Sequence, residues 1–123
     1  MGAQPLILVA DDEPRVTKLV SIALSEEGFR VVTASTGPEA LKMAEEHRPD
    51  VILMDIVMPG MDGIEVARLA AQKHPGLRIM FITGFAAVAL NPDSKAPKDA
   101  KVLSKPFHLK DLVAEVERVI AAA

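Results

Sequence analysis

Val51-Ile52-Leu53-Met54-Asp55 is the stretch that decides the fold. Four consecutive apolar residues, with no polar alternation, are the pattern of a strand buried on both faces, as in parallel sheets covered by helices on either side. The run ends directly on a carboxylate. Upstream, Leu6-Ile7-Leu8-Val9-Ala10 repeats the pattern and runs into Asp11-Asp12. Between the two lies a helix with Pro14 in its first turn and a stripe of Val16, Leu19, Val20, Ala23 and Leu24. Gly28 stops it. Arg30 to Ala34 is a β-branched strand, and Ser35 or Thr36 caps a second helix, with Pro38 in its first turn, that runs to about His47.

Downstream of Asp55, Met58 to Gly63 is dense in turn formers. A helix follows from about Gly63 to Lys73, closed by Pro75-Gly76. Leu77 to Thr83 is a fourth strand, Val102-Leu103-Ser104 a short fifth, and Leu109 to Ala121 a last amphipathic helix. Asn91-Pro92-Asp93-Ser94-Lys95-Ala96-Pro97 puts two prolines where the alternation calls for another helix. A short helix over about Ala86 to Leu90, then an ordered loop, is expected there. The fold class is therefore α/β: a doubly wound, five-stranded parallel sheet, flavodoxin-like in strand order 2-1-3-4-5, with a shortened fourth helix. Residues 1–123 are expected to form one domain, with no output domain attached.

Composition removes several classes of function. The net charge is −3 and no Lys/Arg cluster exceeds two or three residues, which argues against nucleic acid as the main partner. Phe is the only aromatic, so stacking on single strands is disfavoured. The absence of cysteine excludes disulfides and thiolate sites. His47, His74 and His108 have no ligand spacing, and two of them sit where helices end, as solvated helix-end histidines do. No stretch approaches the ~20 apolar residues of a membrane span, so a cytoplasmic protein is expected.

In doubly wound sheets ligands bind beyond the carboxyl ends of the strands, where strand order reverses. Asp11-Asp12 follows the first strand, Asp55 ends the third, Thr83 ends the fourth and Lys105 follows the fifth. Three carboxylates at one edge repel unless a cation neutralises them, and a hard dication such as Mg2+ suits oxygen ligands. Lys105 supplies a mobile positive charge and Thr83 a hydroxyl, while an Asp carboxylate can attack phosphorus. Separately these residues read as a helix cap, a strand-end turn and exposed loops. Jointly they make a phosphoryl-transfer site.

Asp11-Asp12-Glu13-Pro14, the stretch from Met54 through Asp55 to Gly63, Thr83-Gly84 and Lys105-Pro106-Phe107 resemble, in order and spacing, the receiver domains of bacterial two-component response regulators. The resemblance spans almost the whole chain and implies a CheY-like fold. It implies Asp55 as phosphoacceptor, with Mg2+ on Asp12, Asp55 and the Val57 backbone carbonyl, and with Asp11 acting mainly through water. It implies Thr83 as the switch hydroxyl, Lys105 as the phosphate contact, and a histidine kinase or histidine phosphotransferase as donor. It further implies that the chain is no enzyme beyond its own phosphorylation and dephosphorylation, and that output runs through a partner docked on the Ala86–Pro97 segment, the fifth strand and the last helix.

Val102 departs from the pattern, since receivers commonly carry a Tyr or Phe three residues before the lysine. Val57 and Phe85 are apolar at two positions that usually guide hydrolytic water, which implies a long-lived aspartyl phosphate. The segment Thr83 to Phe107 also resembles single-domain cell-cycle regulators of alphaproteobacteria that act with the ClpXP protease, which makes ClpX a candidate partner. Against these stand a phosphorylation-independent interaction module and a haloacid-dehalogenase-type phosphatase. The phosphatase needs a second Asp where Val57 stands. A flavodoxin-like flavin binder is disfavoured by the lack of Trp and Tyr.

Overall fold

The computed structural model describes residues 4–58, 62–84, 91, 93–97 and 99–121. Strands β1 (Leu6–Ala10), β2 (Arg30–Ala34), β3 (Val51–Met54), β4 (Arg78–Thr83) and β5 (Lys101–Ser104) form one parallel sheet in the order β2-β1-β3-β4-β5. This is the expected order. Helices α1 (Pro14–Glu26), α2 (Gly37–His47), α3 (Gly63–Lys73) and α4 (Leu109–Ala121) complete the described elements.

The pleat divides the core in two. Leu8, Ala10, Ile52, Met54, Ile79 and Phe81 face α2 and α3, whereas Ile7, Val9, Val51, Leu53, Met80 and Ile82 face α1 and α4. Successive residues of each strand thus feed opposite layers, which is why β1, β3 and most of β4 carry no polar alternation. The edge strands β2 and β5 are only partly buried and correspondingly more polar.

Local signals set most boundaries. Pro14 opens α1, and Gly28 leaves it at φ +92, a region where glycine avoids the Cβ clash. Thr36 caps α2, its Oγ1 accepting from the Glu39 amide at 3.2 Å, while the Glu39 carboxylate accepts from the Ser35 amide at 2.6 Å. Asp62 caps α3 through the Ile64 amide at 2.8 Å. Two strand starts differ from the sequence reading: β4 begins at Arg78, one residue late, and β5 at Lys101, one residue early. Ladder pairing decides both, with Arg78 beside Val51 and Lys101 beside Met80. The helix expected over Ala86 to Leu90 lies outside the described residues. Within the loop, Asn91 Oδ1 accepts from the Asp93 amide at 2.8 Å and Ser94 Oγ from Ala96 at 3.1 Å, turns that hold the described part in order.

Candidate functional site at the carboxyl edge of the sheet

Each candidate side chain stands at the end of a strand. The Asp11 amide donates to Ala34 O at 3.1 Å and the Asp55 amide to Ala10 O at 3.0 Å, so the ladder continues into both aspartates. The Lys105 amide donates to Thr83 O at 2.8 Å and fixes the lysine beside β4. Thr83 is fully buried. The Lys105–Pro106 peptide is cis.

Carboxylate oxygens of Asp11, Asp12 and Asp55 lie within 4.8 Å of one another. Lys105 Nζ donates to Asp11 Oδ2 and to Asp55 Oδ2, each at 2.9 Å. The remaining oxygens are also engaged: Asp11 Oδ1 accepts from the Glu13 amide at 2.9 Å, and Asp55 Oδ1 from the Val57 amide at 3.2 Å. Asp12 is exposed and carries no comparable side-chain partner among the described residues. Three carboxylates therefore gather with one lysine that bonds two of them, Asp11 and Asp55, and the donor set is all oxygen. That combination fits a hard divalent cation.

Burial pushes the Asp11 carboxyl above its usual range, against the lowering pull of the Glu13 amide and Lys105. For Lys105, burial works toward a lower pKa, but the hydrogen bonds and charges of Asp55 and Asp11 outweigh it and hold the ammonium above its usual value. The lysine is thus firmly charged.

The structure brings Asp11, Asp12, Asp55, Thr83 and Lys105 to one edge, as the sequence implies. Asp11 has a second role there: its side chain closes the turn that precedes α1, but the helix-cap reading fails, because Glu13 stands at the N-cap and no side chain caps the helix. Val57 is 56% exposed beside Asp55, while Phe85 lies outside the described residues. Val102 is half-buried against the α2/α3 layer. His74 corrects an expectation: it is no freely solvated helix end, because its Nε2 lies 3.3 Å from Glu45 Oε2 and only 18% of its side chain is exposed. The packing of α2 against α3 brings that glutamate over.

The sequence showed Gly63 as a turn former, a helix start and the end of the Met54–Gly63 motif, without showing what requires a glycine there. A Cβ there would meet the Asp55 carbonyl oxygen at 2.2 Å and Ile56 Cα at 2.7 Å. The glycine lets α3 start directly against the strand end that carries Asp55, and its amide donates to Ile56 O at 2.7 Å. Only the spacing of a glycine eight residues after the aspartate hinted at this.

A parallel sheet with acids and a lysine gathered at its carboxyl edge is the arrangement that the sequence reading expects of a receiver, and the response regulator receiver domain family matches residues 7–117. The chain belongs to that family, the receiving modules of two-component phosphorelay signalling. It is 54% identical over 117 residues to the response regulator receiver protein CpdR of Brucella abortus, covering 95% of this chain and 98% of that protein. It is 32% identical over 119 residues to TcrX of Mycobacterium tuberculosis, a probable transcriptional regulatory protein, covering 97% of this chain but 51% of TcrX.

Among solved structures, the response regulator TrrA of Thermotoga maritima in complex with Mg2+ and BeF superposes with TM-score 0.83 at 33% identity, covering 94% of this chain and 99% of that one. A CheY-like receiver from Methanospirillum hungatei gives TM-score 0.87 at 27% identity, covering 97% and 95%. A receiver takes its phosphoryl group from a kinase or phosphotransfer protein and acts on an output partner. No helix among the described residues is long and apolar enough to cross a membrane.

Proposed function

We propose that Asp55 accepts a phosphoryl group from a histidine kinase or histidine phosphotransferase in the cytoplasm, and that the phosphorylated state switches binding to an output protein. The observation that carries this reading is the Lys105 ammonium held 2.9 Å from both Asp55 and Asp11, with Asp12 alongside. One Asp55 oxygen attacks phosphorus, the bond from phosphorus to the donor breaks, and the leaving group takes up a proton. Lys105 is charged and placed to meet a phosphoryl oxygen, while the Val57 amide orients the carboxylate. Thr83, buried at the end of β4, is the switch hydroxyl. The residues that would hold Mg2+ are Asp12, Asp55 and the Val57 backbone carbonyl, with Asp11 acting mainly through water. When bound, Mg2+ neutralises the carboxylates and the transferring phosphoryl oxygens. The chain catalyses only its own phosphorylation and dephosphorylation.

Incubation with a small-molecule phosphodonor and Mg2+, followed by intact-mass measurement, tests this. One added phosphoryl group is expected, absent in Asp55→Asn. Addition that persists in Asp55→Asn, or none in wild type, would overturn the assignment and favour a phosphorylation-independent module.

Two further outcomes follow from the same reading. Asp12→Ala is expected to remove the stabilisation by millimolar Mg2+ in a thermal melt, while metal-free stability stays equal or rises, because one unpaired carboxylate has left the cluster. Val57 is apolar and exposed beside Asp55, so no side chain there orients a hydrolytic water. The aspartyl phosphate is accordingly long-lived, and Val57→Asn is expected to shorten its life about tenfold. A phosphoryl half-life of seconds in the unchanged protein would count against this.

The resemblance of the Thr83 to Phe107 segment to single-domain cell-cycle regulators that act with ClpXP makes ClpX, the unfoldase of that protease, the proposed output partner, in a cell-cycle adaptor role. Pull-downs of ClpX with Asp55→Ala and with phosphorylated protein separate the outcomes. Equal binding removes the switch, and no binding in either state removes this partner.

A further inference from the structure

The exposed large hydrophobic residues among the described ones are Leu19 and Ile22 on α1, and Val57 at the acidic site. Leu19 is 53% exposed and Ile22 47%, and neither belongs to the carboxylate–lysine cluster. At 3.6 residues per turn, Arg15, Leu19, Ile22 and Glu26 fall within about 60° of arc, a stripe running along the outer flank of α1. Their spacing of four, three and four is the spacing of a helix–helix seam. Arg15 and Glu26 are both exposed, and neither makes an ion pair with another described residue.

The stripe is its own complement. A two-fold axis passing between Val20 and Ser21 sets Leu19 against Ile22 of the partner subunit and Arg15 against Glu26 of the partner subunit. The other copy repeats both contacts, as an isologous interface requires. Parallel pairing would instead set Arg15 on Arg15 and Glu26 on Glu26. We propose that α1 pairs antiparallel with α1 of a second copy of this chain, through Leu19 and Ile22 closed at each end by an Arg15–Glu26 pair. The seam is three turns long, well short of the roughly 800 Å² per partner of a standard interface, so the dimer is weak, with a dissociation constant on the order of 100 μM. The test of this pairing needs no phosphoryl transfer.

Sedimentation velocity of the full chain, from low micromolar to about 1 mM at low salt, reads the association directly. A concentration-dependent dimer is expected, lost in Leu19→Asp. Arg15→Glu and Glu26→Arg alone are each expected to weaken it about tenfold. The double variant Arg15→Glu/Glu26→Arg, which restores every opposite-charge contact in this register, is expected to recover the original dissociation constant. All four positions are exposed, and far-UV circular dichroism confirms that each variant is folded. A protein that stays monomeric to about 1 mM overturns the proposal. So does a dimer indifferent to Leu19→Asp, or a double variant no tighter than the single ones, since each places association on another surface.

Discussion

Gly63→Ala is expected to lower stability by about 3 kcal/mol in urea unfolding. The added Cβ would stand 2.2 Å from the Asp55 carbonyl oxygen, 2.7 Å from Ile56 Cα and 2.9 Å from Ile56 O. All three are backbone atoms, so no side-chain rotation relieves the overlap. Either the first turn of α3 moves outward, breaking the 2.7 Å bond from the Gly63 amide to Ile56 O, or the strand end carrying Asp55 yields. The second route displaces a ladder position, because the Asp55 amide is bonded to Ala10 O at 3.0 Å. Phosphoryl uptake should therefore fall along with stability. Gly76→Ala is the matched control: nothing lies within 4 Å of a Cβ built there, and the change should stay within about 0.5 kcal/mol. Equal stability of the two variants would remove the close approach from the account.

Much of this was legible from the chain alone, for a physical reason that differs by element. β1 and β3 were plain because strands buried on both faces cannot tolerate polar residues, and their sequences show none. The gathering of the five candidate residues was legible because each ends a strand or follows one, and parallel topology sends all those ends to one edge. β5 was harder: Lys101 is exposed and polar, and it joins the sheet through backbone pairing with Met80, which hydrophobic pattern does not report. The role of Gly63 and the contact of His74 with Glu45 depend on how close two elements approach, and a single sequence carries no distance between helices. Asp11 was expected in the metal cluster, acting mainly through water. Its direct hold on Lys105 was missed, because nothing in the spacing tells which of three acids a flexible lysine will choose.

That hold makes Lys105→Met the most informative substitution in the site. The Asp11 side chain is fully enclosed, that of Asp55 is 12% exposed and that of Lys105 22%, so the ammonium is the partly buried counterion of two carboxylates. Methionine keeps the stem and removes the charge. The two acids then face each other without a neutralising partner, and a loss of about 2–3 kcal/mol in metal-free buffer at neutral pH is expected, below the usual cost for a deeper pair because water reaches the site. The dependence on pH has a definite sign. Burial already holds Asp11 above its ordinary pKa, and Lys105 is one of the groups pulling it down. Without the lysine it rises further. A carboxyl raised in the folded state contributes stability below the unfolded pKa and loses it as pH climbs through the folded value, so the deficit should shrink on acidification. Millimolar Mg2+, on the proposed reading, replaces the missing charge, and it should raise the melting temperature of Lys105→Met more than that of the wild type, where lysine and metal compete for the same oxygens. A variant as stable as wild type without metal, or one that gains less from Mg2+, would show that the carboxylates are neutralised by something other than Lys105.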